Sequence, residues 1–352
     1  MINTAAAISR LKTLGIDLAK NTFSLHGVDA FGNVVLRKTL RRAQLNEFIA
    51  TLPPCTIGIE ACSSAHHFAR LWNTFGHVTK LMAPVFVKPY RQSQKNDAND
   101  AAAICEAVSR PTMRFVSIKS IEQQAQLAAH RLRQGWVRER TALINRLRGL
   151  LSEFGVLISA PADTFASALV KWIADCTFIP GSILQQFHDA YEHLTHLDDR
   201  IESQERFIKQ QAKINAQAQT IQQITGVGPI TAHAIVSTIP NAKDFKNGRQ
   251  FAAFIGLVPA QYSTGGKTRL GKITKKGDNY LRHLLIQGAR SALQNAKNKT
   301  DHISLWICSI EQRLGFFKTL VAIANKHARL IWAMLAKGEE FKPLYANRAA
   351  AV

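Results

Sequence analysis

The stretch TLGIDLAKNTFSLHGVDAFGNVVLRKTL, residues 13–40, decides the fold. It divides into three strand-like runs, TLGIDLA (13–19), TFSLHGVDA (22–30) and NVVLRKTL (33–40), and the Gly32-Asn33 pair joining the last two is turn chemistry. The spacing predicts an antiparallel meander. Helical and strand-like patterns then alternate: a helix over 43–51, a strand in CTIGIEA (55–61), a helix over 64–75, a strand in HVTKLMA (77–83) and a helix in KNDANDAAAICEA (95–107). The order βββαβαβα predicts an α/β layer fold with a mixed sheet.

Four acids stand out against this frame. Asp17 lies inside the first strand between Ile16 and Leu18, and Glu60 closes the fourth. Asp97 and Asp100 share one face of an alanine-rich helix, beside Ala101, Ile104 and Ala107, although a carboxylate is costly to bury unpaired. Read singly, Asp97 suits a helix N-terminus, where the macrodipole favours it, and Glu60 suits a strand end at the surface. Read as a set, three packed elements bring carboxylates to one place, where they repel unless a cation sits among them. Hard oxygen ligands point to Mg²⁺ or Mn²⁺, and two such ions about 3.5–4 Å apart serve phosphoryl transfer. The element order is also that of the RNase H superfamily, whose members cut or join nucleic-acid phosphodiesters.

With 352 residues the chain is long enough for two or more domains, and 45 Lys and Arg against 24 Asp and Glu leave a net charge of +21. Such an excess points to a polyanionic partner, nucleic acid first. No apolar run approaches the roughly 18 residues of a spanning helix, and the N-terminus lacks a signal-peptide core, so the expected setting is cytoplasmic, with no membrane partner. Cys55, Cys62, Cys105, Cys176 and Cys308 are scattered without a CxxC pair, which argues against both a disulfide framework and a zinc site.

After Pro111 the pattern predicts one long helix over 120–154. It carries Arg131, Arg133, Arg138, Arg140, Arg146 and Arg148, and an apolar stripe of Leu127, His130, Trp136, Leu143, Leu147, Leu150 and Leu151. Its charge reads either as a solvated face or as a clamp on a nucleic-acid backbone. Residues 156–180 read as irregular, with Pro161 and Pro180 as breakers. The next helical run repeats Phe187, Leu194, Ile201 and Ile208 every seven residues, interrupted in the complementary seam by Asp198 and Glu205. That is a coiled-coil pattern, within the chain or between chains. Its His188, His193 and His196 read as solvated. The expected domains are 1–155, an α/β unit ending in the basic helix; 156–222, a helical linker; and 223–352, a mostly helical C-terminal domain.

The last domain opens with ITGVGPITAHAIVSTI (224–239), where Gly226, Gly228 and Pro229 have the form of a helix-hairpin-helix or of an ordinary glycine-capped helix pair. In the first form, the glycines admit a phosphate to backbone amides. FIGLVPAQYSTGGKTRLGKITKKGDNYLRHLL (254–285) follows, with Gly265-Gly266 suited to a hairpin turn and Lys267, Arg269, Lys272, Lys275, Lys276 and Arg282 around it. GKTRLGKI approaches a P-loop, but Ile273 stands where the Mg²⁺-binding hydroxyl belongs. Ser263 could attack a phosphate with cations stabilising the developing charge, although serine before glycine is also common turn chemistry.

GIDLAKNTF, IGIEA, KNDANDAAAICEA, ITGVGPITA and the 254–285 block, in this order, resemble the DEDD transposases of the IS110 family of bacterial insertion sequences, relatives of the Piv DNA invertases. The resemblance implies a RuvC-like N-terminal domain whose tetrad, here Asp17, Glu60, Asp97 and Asp100, binds Mg²⁺. It implies a C-terminal transposase domain whose serine, here Ser263 with Thr264 beside it, forms a covalent phosphoserine with DNA. It further implies dimers or tetramers assembled through the helical middle region, and a structured bridge RNA that pairs with donor and target DNA. The competing readings are a RuvC-type structure-selective endonuclease and a non-catalytic nucleic-acid-binding protein.

Overall fold

In the computed structural model, which describes residues 2–92, 94 and 96–341, the opening runs form β1 (Thr13–Asp17), β2 (Thr22–Val28) and β3 (Val34–Arg41), preceded by the short α1 (Ala5–Ile8). The centres of β1 and β2 are buried on both faces, Leu14–Ile16 and Phe23–Leu25, and β2 pairs antiparallel with both neighbours. Asp29 closes the β2–β3 turn, its carboxylate accepting from the N–H groups of Phe31 and Asn33, both at 2.9 Å. Then come α2 (Arg42–Ala50), β4 (Thr56–Glu60), α3 (Ala65–Thr74), β5 (Val78–Met82), α4 (Pro84–Val87), α5 (Asp97–Val108) and the two-residue β6 (Phe115–Val116).

The sheet order is β3-β2-β1-β4-β5-β6, with β1, β4 and β5 parallel and the other pairings antiparallel. The expected mixed α/β sheet is therefore present. The elements that the pattern did not announce, α1, α4 and β6, are too short to show a period. Leu14, Ile16, Ile57 and Ile59 point to one face, where Leu45 and Ile49 of α2 and Phe68 and Trp72 of α3 close the core. The other face carries α5, whose Ala103, Ile104, Ala107 and Val108 pack with Met82 and Val87.

Packing divides the chain into two compact units, Met1–Ser120 and Ile121–Val352. The second begins with α6 (Ile121–Glu153), α7 (Phe165–Asp175) and α8 (Gly181–Ile214). Leu143, Ile144, Leu147 and Leu151 of α6 meet Phe187, Leu194 and Leu197 of α8, so the coiled-coil pattern is satisfied within the chain. Asp198 and Glu205, which interrupt the seam, are its charged partners: Glu205 accepts from Arg133 Nη2 at 2.5 Å and Nε at 2.9 Å, and Asp198 pairs with Arg140. Seven residues forward on α6 match seven backward on α8, as an antiparallel pair requires.

Two expectations are corrected here. Leu150 lies outside the stripe, 48% exposed, and Ile144 takes the buried position. The stretch 156–180 is not wholly irregular, because Phe165, Leu169, Trp172 and Ile173 make an amphipathic face for α7 against α8.

The remainder comprises α9 (Ala216–Ile221), α10 (Pro229–Thr238), α11 (Gly248–Ile255), the hairpin β7 (Pro259–Thr264) and β8 (Lys267–Ile273), α12 (Asn279–Ala296), α13 (His302–Leu314) and α14 (Phe316–Lys337). Ile235, Phe251, Ile255, Leu285, Ile323 and Ile331 lie at their common core. A buried polar seam joins α6, α10 and α12: His130 lies 3.0 Å from the Tyr280 hydroxyl and 2.9 Å from His233. No helix among the described residues is long and apolar enough to cross a membrane.

Candidate active site

Because Leu14 and Ile16 point into the α2–α3 core, strand alternation turns Gly15 and Asp17 to the opposite face, under α5. Strand β4 repeats the arrangement, with Ile57 and Ile59 inward and Gly58 and Glu60 toward α5. The parallel register sets Gly15 beside Gly58 and Ile16 beside Ile59, so Asp17 and Glu60 end neighbouring strands side by side.

The two glycines let α5 rest on the sheet backbone. A Cβ on Gly15 would stand 2.3 Å from the Ala101 carbonyl oxygen and 2.4 Å from the Cys105 nitrogen, and one on Gly58 would stand 2.8 Å from Val108 Cβ. Helix α5 runs opposite to β1, since Cys105 Sγ reaches the Thr13 carbonyl at 3.7 Å while Ala101 covers Gly15. One helical turn advances about 5.4 Å and two strand residues about 6.6 Å. The turn before Ala101, which carries Asp97 and Asp100, therefore lies over the strand end that carries Asp17.

Cys62, two residues past Glu60, senses the same convergence: its thiol is raised above the ordinary range by burial, then by the carboxylates of Glu60 and Asp17. Asp17, Glu60 and Asp100 are half-buried and Asp97 is exposed. Asp100 pairs with Arg91 at 3.2 Å. Capping does not account for the helix acids, because Asn96 fills that role, its side-chain oxygen accepting from the Asn99 N–H at 2.8 Å.

The donor set is oxygen only and sits at the carboxyl ends of adjacent parallel strands, where open α/β sheets hold ligands. Hard divalent cations fit it. Among the described residues the ligand atoms close enough to share one ion are those of His188, Asp189 and Glu192, along the outside of α8 with His188 3.7 Å from Glu192; the four acids lie on one side of the sheet but are not drawn that close together.

In the second unit, Ser263 and Thr264 lie next to the Gly265-Gly266 tip of an exposed hairpin. The register pairs Ser263 with Thr268, Gln261 with Leu270, Tyr262 with Arg269 and Thr264 with Lys267. Directly opposed residues share a face. Ser263 therefore stands with Gln261 and Thr268, and Gln261 Nε2 donates to its Oγ at 2.7 Å. Thr264 stands with Tyr262, Lys267 and Arg269 on the other side. The hairpin thus separates Ser263 from the two cations expected beside it. Lys272, Lys275 and Lys276 are exposed at or just beyond the end of β8.

The remaining candidates also divide. Arg131, Arg138 and Arg146 are exposed on α6, whereas Arg133 and Arg140 hold α8, and Arg148 donates to the Ala160 carbonyl at 2.6 Å and lies over Phe165. Arg282 is buried and donates to the Ile255 carbonyl at 2.9 Å and to Asn279, so it braces the fold instead of facing a polyanion. Gly226, at φ +92°, faces inward: a Cβ there would meet the Gly288 carbonyl oxygen at 2.4 Å, while Gly228 has open space around it. The turn is thus shaped at Gly226 by packing against α12.

The sequence reading passed over Gly15 and Gly58, which position the acids without touching chemistry. Their signal is the repeated Gly-Ile-acid triplet, Gly15-Ile16-Asp17 and Gly58-Ile59-Glu60, one at the end of each central strand.

Two family models match the chain: one for DEDD transposases over residues 14–156 and one for the transposase IS116/IS110/IS902 family over residues 218–303. A probable family 20 transposase of Pseudomonas aeruginosa is 45% identical across 95% of this chain and 99% of its own length. The transposase for insertion sequence element IS1111A of Coxiella burnetii is 41% identical, covering 94% of this chain and 92% of its own. The transposase for insertion sequence element IS1328 of Yersinia enterocolitica is 39% identical over 93% and 98%.

Proposed function

The chain belongs to the IS116/IS110/IS902 family of transposases, and from that premise we propose that it cuts and rejoins DNA through a covalent phosphoserine, with Asp17, Glu60, Asp97 and Asp100 as ligands of Mg²⁺ and Ser263 as nucleophile. The observation that carries the metal role is the shared face of Asp17 and Glu60 beneath the first turn of α5. Mg²⁺ held by these four carboxylates would supply Lewis-acid stabilisation of the charge that develops on a bound phosphodiester. Ser263 Oγ forms a bond to phosphorus as its proton departs; the scissile P–O bond breaks and the leaving oxygen takes up a proton. The reverse displacement by a strand hydroxyl frees the serine and rejoins DNA. Lys267 and Arg269, on the other face of the hairpin, grip backbone phosphates beside the reacting one.

A structured bridge RNA chooses the sites by pairing with donor and target DNA, and the net charge of +21 suits a protein that holds both polyanions by backbone contacts. The working form is a homo-oligomer, a dimer or tetramer. A second reading has its own support: Thr264 shares its face with Lys267 and Arg269, which would make its hydroxyl the attacking group.

One denaturing gel tests both. Full-length protein with its element's RNA, Mg²⁺ and a nicked, labelled DNA is expected to leave a labelled protein–DNA adduct. The adduct should vanish in Ser263→Ala and in Asp17→Asn and persist in Thr264→Ala. Loss only in Thr264→Ala transfers the role to the threonine. Cleavage without an adduct points to the water-using endonuclease, and binding without cleavage, unchanged by EDTA, to a non-catalytic protein.

A further inference from the structure

The chain is strongly basic, with 45 Lys and Arg against 24 Asp and Glu, but the excess is unevenly spread. Between Lys171 and Arg200 there is no other Lys or Arg, while Asp175, Asp189, Glu192, Asp198 and Asp199 carry negative charge and His188, His193 and His196 stand among them. A segment of that sign repels a polyanion and attracts a cation.

Helix α8 sorts these residues. Asp198 is taken by Arg140, and His196 accepts from Arg200 Nε at 2.8 Å. His188, Asp189 and Glu192 remain together, with one ligand atom from each lying within 4.8 Å of the others and His188 Nδ1 3.7 Å from Glu192 Oε1. The helix period makes this so, because Glu192 lies one turn beyond both His188 and Asp189 on the same side. Neither carboxylate forms an ion pair with Lys or Arg among the described residues, although basic side chains far outnumber acidic ones. The backbone beneath them is seated, since Phe187 and Leu194 are buried in the core shared with α6 and α7, and Phe187 meets Trp172 edge to face at 5.8 Å. Behind Asp189, Gln185 Nε2 donates to Oδ1 at 2.9 Å, as an outer amide does when it orients a metal-binding carboxylate.

Around a tetrahedral ion with bonds of about 2.0–2.2 Å, neighbouring donors stand about 3.4 Å apart. His188 and Glu192 are already near that distance, and the exposed Asp189 and Glu192 side chains can close the remainder by rotation. One imidazole with two carboxylates selects a borderline transition ion, Zn²⁺ first, over Mg²⁺. The oxygen-only acids of the first unit have the opposite preference.

We propose that His188, Asp189 and Glu192 form a Zn²⁺ site on the outer face of α8, in which His188 Nδ1 and one oxygen from each carboxylate bind the ion and water completes its coordination. The ion neutralises the two carboxylates and ties one turn of α8 to the next where α7 packs on it. Because all three donors come from one helix face open to solvent, the ion exchanges readily. The site is therefore structural and reversible, and separate from the strand chemistry given to the four acids.

The test is a calorimetric titration of Zn²⁺ into full-length protein in excess Mg²⁺. One Zn²⁺ per chain is expected. The event should be lost in His188→Ala and in Glu192→Gln and weakened about tenfold in Gln185→Leu. It should persist in Asp17→Asn and in Cys62→Ser, which remove a carboxylate of the four-acid site and an exposed thiol. Zn²⁺ should also raise the melting temperature of the parent and leave that of His188→Ala unchanged. Cu²⁺ gives a second readout, because its paramagnetic resonance spectrum should show imidazole nitrogen coupling that disappears in His188→Ala and that an oxygen-only site cannot supply. Circular dichroism checks that the variants keep the parent's helix content. No uptake by the parent, or uptake unchanged in His188→Ala Glu192→Gln, means an adventitious ion only and overturns the site. Loss of the event in Asp17→Asn or Cys62→Ser with retention in His188→Ala places the zinc elsewhere and overturns it equally.

Discussion

Gly15→Ala is the sharpest probe of how the fold builds the acid site. The new methyl would lie 2.3 Å from the Ala101 carbonyl oxygen, 2.4 Å from the Cys105 nitrogen and 2.8 Å from Cys105 Cα. All three are backbone atoms of α5, so no side chain can swing aside. Ordinary contact begins near 3.4 Å. Helix α5 must therefore lift by about 1 Å or slide, and Asp97 and Asp100 travel with it while Asp17 and Glu60 stay on the sheet. Overpacking of this kind costs about 1–3 kcal/mol. A displacement of about 1 Å in a catalytic constellation costs on the order of a hundredfold in rate. Thermal melting of Gly15→Ala should show a loss of several degrees, and the strand-cutting assay in Mg²⁺ a loss near two orders of magnitude with nucleic-acid binding retained. A variant that melts and cuts like the parent would falsify the claim that α5 is seated on Gly15 to bring the helix acids to the strand acids.

Other positions give independent checks. Gly149 lies in the interior of α6 with nothing within 4 Å of an added Cβ, so Gly149→Ala should raise stability by about 0.5–1 kcal/mol in urea melts, and a loss would mean that the added methyl meets a neighbour. A double-mutant cycle on Arg133 and Glu205, both largely shielded, should give a coupling of about 1–2 kcal/mol, and a value near zero would reduce the pair to a surface contact. Burial lowers His130 to about 3, aided by the charges of His233 and Arg133, and lowers His327 to about 4, aided by Lys326. Both are neutral in the native state at pH 7, and the unfolded chain takes up protons first, near pH 6.5, so stability should fall as pH drops from about 6.5 toward 4. The urea midpoint at pH 5 should lie below that at pH 7.5, with a smaller gap in His327→Leu; equal midpoints in the parent would contradict the burial.

Much of the first unit was legible because β1 and β4 carry large apolar residues at every second position. Leu14, Ile16, Ile57 and Ile59 mark one face, and every residue between them must point to the other. The acids followed from the same logic, since Asp17 and Glu60 occupy the last outward positions of two central strands. Chain pairing was harder to read. The antiparallel match of α6 with α8 needs both helices at once, and Asp198 and Glu205 look like interruptions until Arg140 and Arg133 are set opposite them. The short elements α1, α4 and β6 carry too few residues for any period to emerge, and α7 was hidden between two prolines that read as breakers.

The cations show why composition identifies a class of partner more readily than a surface. Sequence lists Arg131, Arg133, Arg138, Arg140, Arg146 and Arg148 as equals on one helix, yet three of them bind α8 or the segment that follows α6, and three face water. Only the second set can release counterions from a polyanion. The same sorting removes Arg282, whose guanidinium holds the Ile255 carbonyl.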